Sequence, residues 1–181
     1  MERQQKIISG GQTGVDQIAL EIAHELGYKT GGYAPRTFRT ENGPQRSLQT
    51  KYGLVEMKTL DCKVRSMANV DAADLIIIFN CLPGGSVGTV CTQHYALTSS
   101  WRNIQIAYGS STIFQKNQKN GKKVIVVYDC KRSQNPEIIK EIQAYIKVAK
   151  VINFAGSRGS KLSDYPSIQE GISNLIRKIL I

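Results

Sequence analysis

At 181 residues the chain is long enough to bury a core without staples and suits one domain over 1–181. Hydrophobic residues make up 41% and charged residues 21%, a globular balance that argues against disorder. The formal charge of +10, from 24 Lys and Arg against 14 Asp and Glu, favours anionic partners: phosphorylated small molecules, oxyanions or nucleic acid.

The amino terminus is polar and charged up to Ile7 and Ile8, so no signal peptide is expected. No apolar run approaches the ~18–20 residues that cross a bilayer, and a cytoplasmic protein with reduced thiols is the expectation. Lys6-Ile7-Ile8-Ser9 is a short β-prone run ending in Gly10-Gly11. From Val15 to Leu26, Ile18, Ala19, Ile22, Ala23 and Leu26 recur at helical spacing, and Gly27 closes the helix. Residues 29–60 are rich in Gly, Pro, Arg and Thr and read mostly as loop with one or two short strands. A helix fits Cys62–Ala73. The uninterrupted run Asp74–Phe79 then suits a strand buried on both faces, hence a parallel sheet.

A second glycine-rich loop, Pro83-Gly84-Gly85-Ser86-Val87-Gly88-Thr89, leads into a helix through about Trp101. Residues 105–121 read as a polar, exposed insertion. Val124–Val127 is a strand, Pro136–Ala149 a helix, Val151–Ala155 a strand and Pro166–Leu180 an amphipathic helix. Alternating strands and helices predict a three-layer, Rossmann-like open parallel sheet with helices on both faces.

In such sheets the ligand lies beyond the carboxyl ends of the strands, where three glycine-bearing turns would gather. In Ser9-Gly10-Gly11-Gln12-Thr13-Gly14 the main chain can approach a ligand closely, Thr13 offers a hydroxyl, and Asp16 falls in the first helical turn. The same residues also read as a tight turn with a helix-start carboxylate. Gly84, Gly85, Ser86, Gly88, Thr89 and Thr92 make the better phosphate cradle, directly after the strongest strand. Arg158, in Ala155-Gly156-Ser157-Arg158-Gly159-Ser160, can clamp an oxyanion or be one more surface arginine. In the long loop Tyr33 can stack on a flat ring, Arg36 with Arg39 can bind phosphate, and Glu41 is a spare carboxylate; a solvated basic loop is the plainer reading. Arg65 and Asn69 share one helical face. Cys62, Cys81, Cys91 and Cys130 form no CxxC pair, and with only His24 and His94 there is no zinc constellation or Ser-His-Asp set.

The order Ser9-Gly-Gly-Gln-Thr-Gly-Val-Asp16, Gly31-Gly32-x-x-Pro35 through Glu41-x-Gly43-Pro44, Arg65 to Asn69, Gly88-Thr89-x-x-Thr92 and Asn153-x-Ala155-Gly156-x-Arg158 resembles the molybdenum cofactor carrier family. The motifs cover most of the chain, with 105–121 the chief departure. The resemblance implies a fold akin to the lysine decarboxylase-like group, which includes cytokinin-activating phosphoribohydrolases, and an assembly of two or more copies. It implies a binding protein for an anionic pterin phosphate or nucleotide, molybdenum cofactor (molybdopterin) first. The alternative is an enzyme that cleaves an N-glycosidic bond. Those hydrolases carry a catalytic Glu where this chain has Thr92, and Thr92 can neither stabilise an oxocarbenium-like state nor activate water, so the reading leans away from an enzyme, with Asp16 or Glu41 the carboxylates that could substitute in principle. Nucleic-acid binding has only net charge in its favour, since no aromatic residues are interleaved with the basic ones.

Overall fold

The computed structural model describes residues 4–99, 114–119 and 122–181. Strand β1 (Lys6–Ile8) runs through the first glycine turn into helix α1 (Val15–Glu25), which Gly27 closes in a left-handed conformation (φ 77°). Then come β2 (Lys29–Gly31), β3 (Tyr33–Ala34), β4 (Arg39–Thr40), β5 (Gly43–Pro44), α2 (Ser47–Tyr52) and β6 (Val55–Glu56). Helix α3 (Cys62–Ala72), capped by the Asp61 carboxylate accepting from the Lys63 N–H, leads to β7 (Leu75–Phe79) and α4 (Val87–Thr98). The chain continues with β8 (Phe114–Lys119), β9 (Lys122–Val127), α5 (Pro136–Val148), β10 (Val151–Gly156), the single turn α6 (Gly159–Leu162) and α7 (Pro166–Leu180). Proline opens both α5 and α7, where a missing N–H costs nothing.

The main sheet has the order β2-β1-β10-β7-β9-β8. The first five strands are parallel, and β8 pairs antiparallel with β9 at the edge. The all-apolar β7 is buried along its whole length, as a central strand covered on both faces must be. Leu75, Ile77 and Phe79 point into a core shared with α1, α5 and α7; Ile76 and Ile78 point into a second core closed by Val70 of α3 and Tyr95 and Ala96 of α4. This is the expected three-layer Rossmann-like arrangement.

Two details differ from the sequence reading. The 29–60 segment holds helix α2 and four two-residue strands, and Ala34, Phe38, Leu48, Tyr52 and Leu54 form a third cluster against Leu20 of α1. A helix of six residues is too short to show periodicity and is held by packing, not by propensity. Of the expected insertion, 114–119 is the edge strand β8, while 105–113 and 120–121 lie outside the described residues.

The last strand of the sheet in sequence, β10, is inserted between β1 and β7. From β1 the chain moves outward to β2, and from β7 it moves the other way to β9. The carboxyl ends of β1, β10 and β7 therefore flank the point where the winding reverses, the place where such sheets leave a crevice.

Candidate functional site

An open cleft of about 380 Å³ occupies that crevice, a volume typical of small-molecule sites. Gln12 from the loop after β1, Gly85 to Thr89 from the loop after β7, and Ala155, Gly156 and Arg158 from the end of β10 form its walls. Asp16 of α1, Arg65 and Ser66 of α3 and Thr92 of α4 also border it. Lys63, Arg158 and Lys161 are exposed at the rim, and Arg65 lies deeper. Among the described residues, four cations thus face one carboxylate at the cleft, a concentrated share of the chain's basic surplus.

The second glycine loop is shaped by two consecutive left-handed residues, Gly84 (φ 74°) and Gly85 (φ 67°), a conformation that favours glycine. They turn the chain so that α4 begins at the cleft. Ser86 caps that helix, accepting from the Thr89 N–H, and its hydroxyl lies 2.6 Å from that of Thr89. The N–H groups of Val87 and Gly88, in the first turn, have no intrahelical acceptor by the geometry of a helix start. They add the positive end of the helix dipole to an anion-attracting wall. The Thr92 hydroxyl is turned back on its own helix, donating to the Gly88 carbonyl at 2.8 Å.

On the floor Arg65 Nη1 donates to Asp16 Oδ2 at 3.1 Å, with the two side chains only 11% and 6% exposed. The guanidinium lies across Gly10, where a Cβ would stand 1.7 Å from Nη1; only glycine leaves room for it. Burial pushes the Asp16 carboxyl above the ordinary carboxylate range, opposed by the Arg65 charge and by the Gln12 N–H donating at 3.2 Å. Arg65 Nε is buried and has no hydrogen-bond partner among the described residues. A buried donor of this kind is costly unless something accepts from it.

Several residues read from the sequence as ligand contacts make hydrogen bonds that link the segments around the cleft. The Gln12 side-chain amide oxygen Oε1 accepts from the N–H groups of Thr13 (3.0 Å) and Glu41 (2.9 Å). The Thr13 hydroxyl donates to the Glu41 carboxylate and accepts from the Gly159 N–H at 3.1 Å. Glu41 also accepts from the Ser160 N–H at 2.8 Å and from the Ser160 hydroxyl. Burial acts upward on the Glu41 carboxyl, but the Ser160 and Thr13 hydrogen bonds prevail and hold it below its ordinary range. Asn69, 2% exposed, receives the Tyr33 N–H (2.8 Å) and donates to the Tyr33 carbonyl (2.9 Å), which fastens β3 to α3.

Of the sequence candidates, the cleft brings together Gln12, Asp16, Arg65, Gly85, Ser86, Gly88, Thr89, Thr92 and Arg158. Gly10 and Asn69 border a small adjoining pocket behind Arg65. Gly11, Thr13, Gly14, Tyr33, Arg36, Glu41 and Gly84 are not among the lining residues. Gly11 packs on Leu48 and Leu54, and Gly14 sits against the main chain of Ser157 to Gly159. Sequence reasoning missed Cys62, Lys63, Ser66 and Lys161. Cys62 and Ser66 were within reach, since carrying the Arg65–Asn69 helical face back one turn arrives at them. Lys161 had no such signal, because α6 is a single turn. Among the described residues, no group of three or more His, Cys, Asp or Glu is arranged to hold a metal, and no helix is long and apolar enough to cross a membrane.

The model of the circularly permuted YpsA SLOG family matches residues 7–147. The crystal structure of a protein from Syntrophus aciditrophicus SB, named as a candidate molybdenum carrier protein, superposes with a TM-score of 0.65 at 27% identity, covering 98% of this chain and 95% of that one. No curated protein matches the chain.

Proposed function

Since the chain belongs to the circularly permuted YpsA SLOG family, we propose that it is a binding protein for an anionic, phosphorylated small molecule, of the molybdenum cofactor carrier kind. One observation carries this reading. The start of α4, the buried Arg65 and the rim cations Lys63, Arg158 and Lys161 converge on one cleft at the switch point of the sheet. The buried, unpartnered Arg65 Nε supports it further, as a donor placed where an acceptor is needed. The similarity to the protein named as a candidate molybdenum carrier makes the molybdenum cofactor the first ligand to consider.

The residues fit that cofactor's phosphate. The first-turn N–H groups of α4 with Ser86 would hold the phosphate oxygens, and Arg158, Lys161 and Lys63 would balance their charge. The cofactor, when bound, supplies the redox capacity of its metal; the chain's own residues bind, orient and shield it.

Binding is favoured over N-glycosidic cleavage by the state of the available side chains. Thr92 stands in place of a catalytic carboxylate and bonds to Gly88. Asp16 is held by Arg65, and Glu41 is surrounded by donors from Thr13 and Ser160. Among the described residues, no carboxylate other than Asp16 lines the cleft to activate water.

Native mass spectrometry of freshly purified protein, with released small molecules identified, tests the reading directly. The expected result is a co-purifying pterin phosphate or nucleotide. With added inorganic pyrophosphate the melting temperature should rise, because a ligand bound only to the native state stabilises it. Arg158→Ala and Lys161→Ala should each weaken that binding by about tenfold. Absence of any stabilising anion would overturn the proposal, and release of free base from a nucleotide would favour the hydrolase.

A further inference from the structure

We infer that Glu41 is a positioning residue of the anion site: its carboxylate clasps the first glycine loop and the β4–β5 hairpin to the turn that carries Arg158 and Lys161. The inference rests on the reading of the cleft as an anion site. It starts from a charge of the wrong sign. A carboxylate beside an anion cleft repels the ligand by Coulomb's law, so its presence there calls for a role other than contact.

The hydrogen bonds supply that role. One carboxylate receives donors from two segments distant in sequence, the Thr13 hydroxyl and the Ser160 N–H and hydroxyl. The Thr13 hydroxyl relays the connection by accepting from the Gly159 N–H. The main chain at Glu41 is pinned in turn, because its N–H donates to Gln12, whose side chain borders the cleft. Arg158 and Ser160 flank Gly159, and Lys161 follows directly, so the two rim cations sit on either side of the clasped turn. That turn is only four residues long and has no side-chain cap of its own at Arg158. Glu41 therefore provides the tether that this segment lacks. The space is already filled: a Cβ at Gly159 would stand 3.1 Å from the Thr13 hydroxyl and 3.2 Å from Glu41 Oε1.

Positioning and plain electrostatics predict opposite signs. If Glu41 acted only through its charge, removing it would tighten binding of an anion. If it positions Arg158 and Lys161, Glu41→Ala weakens inorganic pyrophosphate binding, by about five- to tenfold, although the site becomes more cationic. Glu41→Gln keeps the shape and the acceptor facing Thr13 and the Ser160 N–H, and should recover most of the wild-type affinity.

Calorimetric titration of inorganic pyrophosphate into wild type, Glu41→Ala and Glu41→Gln is the test. Weakening by Ala with recovery by Gln supports the clasp; equal or tighter binding by Ala overturns it. Gly159→Ala, which presses on the same hydrogen bonds from the other side, serves if Glu41→Ala unfolds and should weaken binding in the same direction. Failure of the wild type to bind pyrophosphate would sink the anion-site reading and not the clasp. The clasp is then judged by amide hydrogen exchange at Gly159 and Ser160, which should quicken in Glu41→Ala; unchanged exchange there overturns it.

Discussion

The buried pair Asp16–Arg65 makes a prediction whose pH dependence differs with the partner removed. Breaking a buried ion pair by deleting one partner costs about 3–5 kcal/mol, because the other charge is left uncompensated. Both side chains here are close to fully buried, so little of that cost is screened by solvent. The two partners differ in what they can do afterwards. In Asp16→Asn the Arg65 guanidinium stays charged at any accessible pH and residue 16 no longer titrates, so this variant's own stability should draw no pH dependence from the pair between pH 5 and pH 8. In Arg65→Met the Asp16 carboxyl can escape its situation by taking up a proton. Burial already holds its pKa above the ordinary value, and loss of the Arg65 charge removes a cause that lowers it. A carboxyl with a raised folded-state pKa contributes stability that is complete below its unfolded pKa and lost as pH rises through the folded one. Arg65→Met should therefore be much less destabilised at about pH 5 than at about pH 8, with a limiting slope of about 1.4 kcal/mol per pH unit for one proton. Urea unfolding of both variants and of wild type at the two pH values measures this. Equal, pH-independent losses in the two variants would refute the reasoning.

Three further outcomes follow from the same geometry. Gly10→Ala should displace the Arg65 guanidinium, which lies 1.7 Å from the new Cβ, and cost about 1–3 kcal/mol in denaturant unfolding together with weakened pyrophosphate binding. The Glu41 clasp should make wild type lose stability as pH falls through the lowered carboxyl pKa, in the window below about 4.3, and Glu41→Gln should flatten that part of the melting-temperature profile. Exposed Cys62 at the cleft should be alkylated first by iodoacetamide, with bound pyrophosphate slowing it, whereas the neighbouring Cys130 and burial push the Cys81 thiol upward and should leave it slow to react in the native state.

Much of the protein is written locally in its chain. The alternation of strand and helix, the fully apolar run Leu75–Phe79 and the periodic face of α1 each reflect an element that must bury a stripe or a face, and such burial leaves a pattern in consecutive residues. The glycine turns were legible for the same reason: a tight strand-to-helix turn demands glycine whatever surrounds it. The helix at Ser47–Tyr52 was not legible, since six residues show no period and what stabilises them is Leu48, Tyr52 and Leu54 packing on α1.

The division of labour at the site also lay beyond the sequence. Thr13, Glu41 and Asn69 look like ligand contacts because they are polar residues in glycine-rich or basic surroundings. Their partners, Gly159, Ser160 and the Tyr33 main chain, lie far away in the chain and meet them only after folding. Lys161 came to the cleft the same way, on a turn too short to signal its direction. Residue type and spacing thus determined that glycine-bearing turns would gather at the ends of β1, β7 and β10, where the crevice lies. Tertiary structure alone decided which polar groups face that crevice and which are consumed in holding it, because hydrogen bonds between distant segments leave no periodic trace in the sequence.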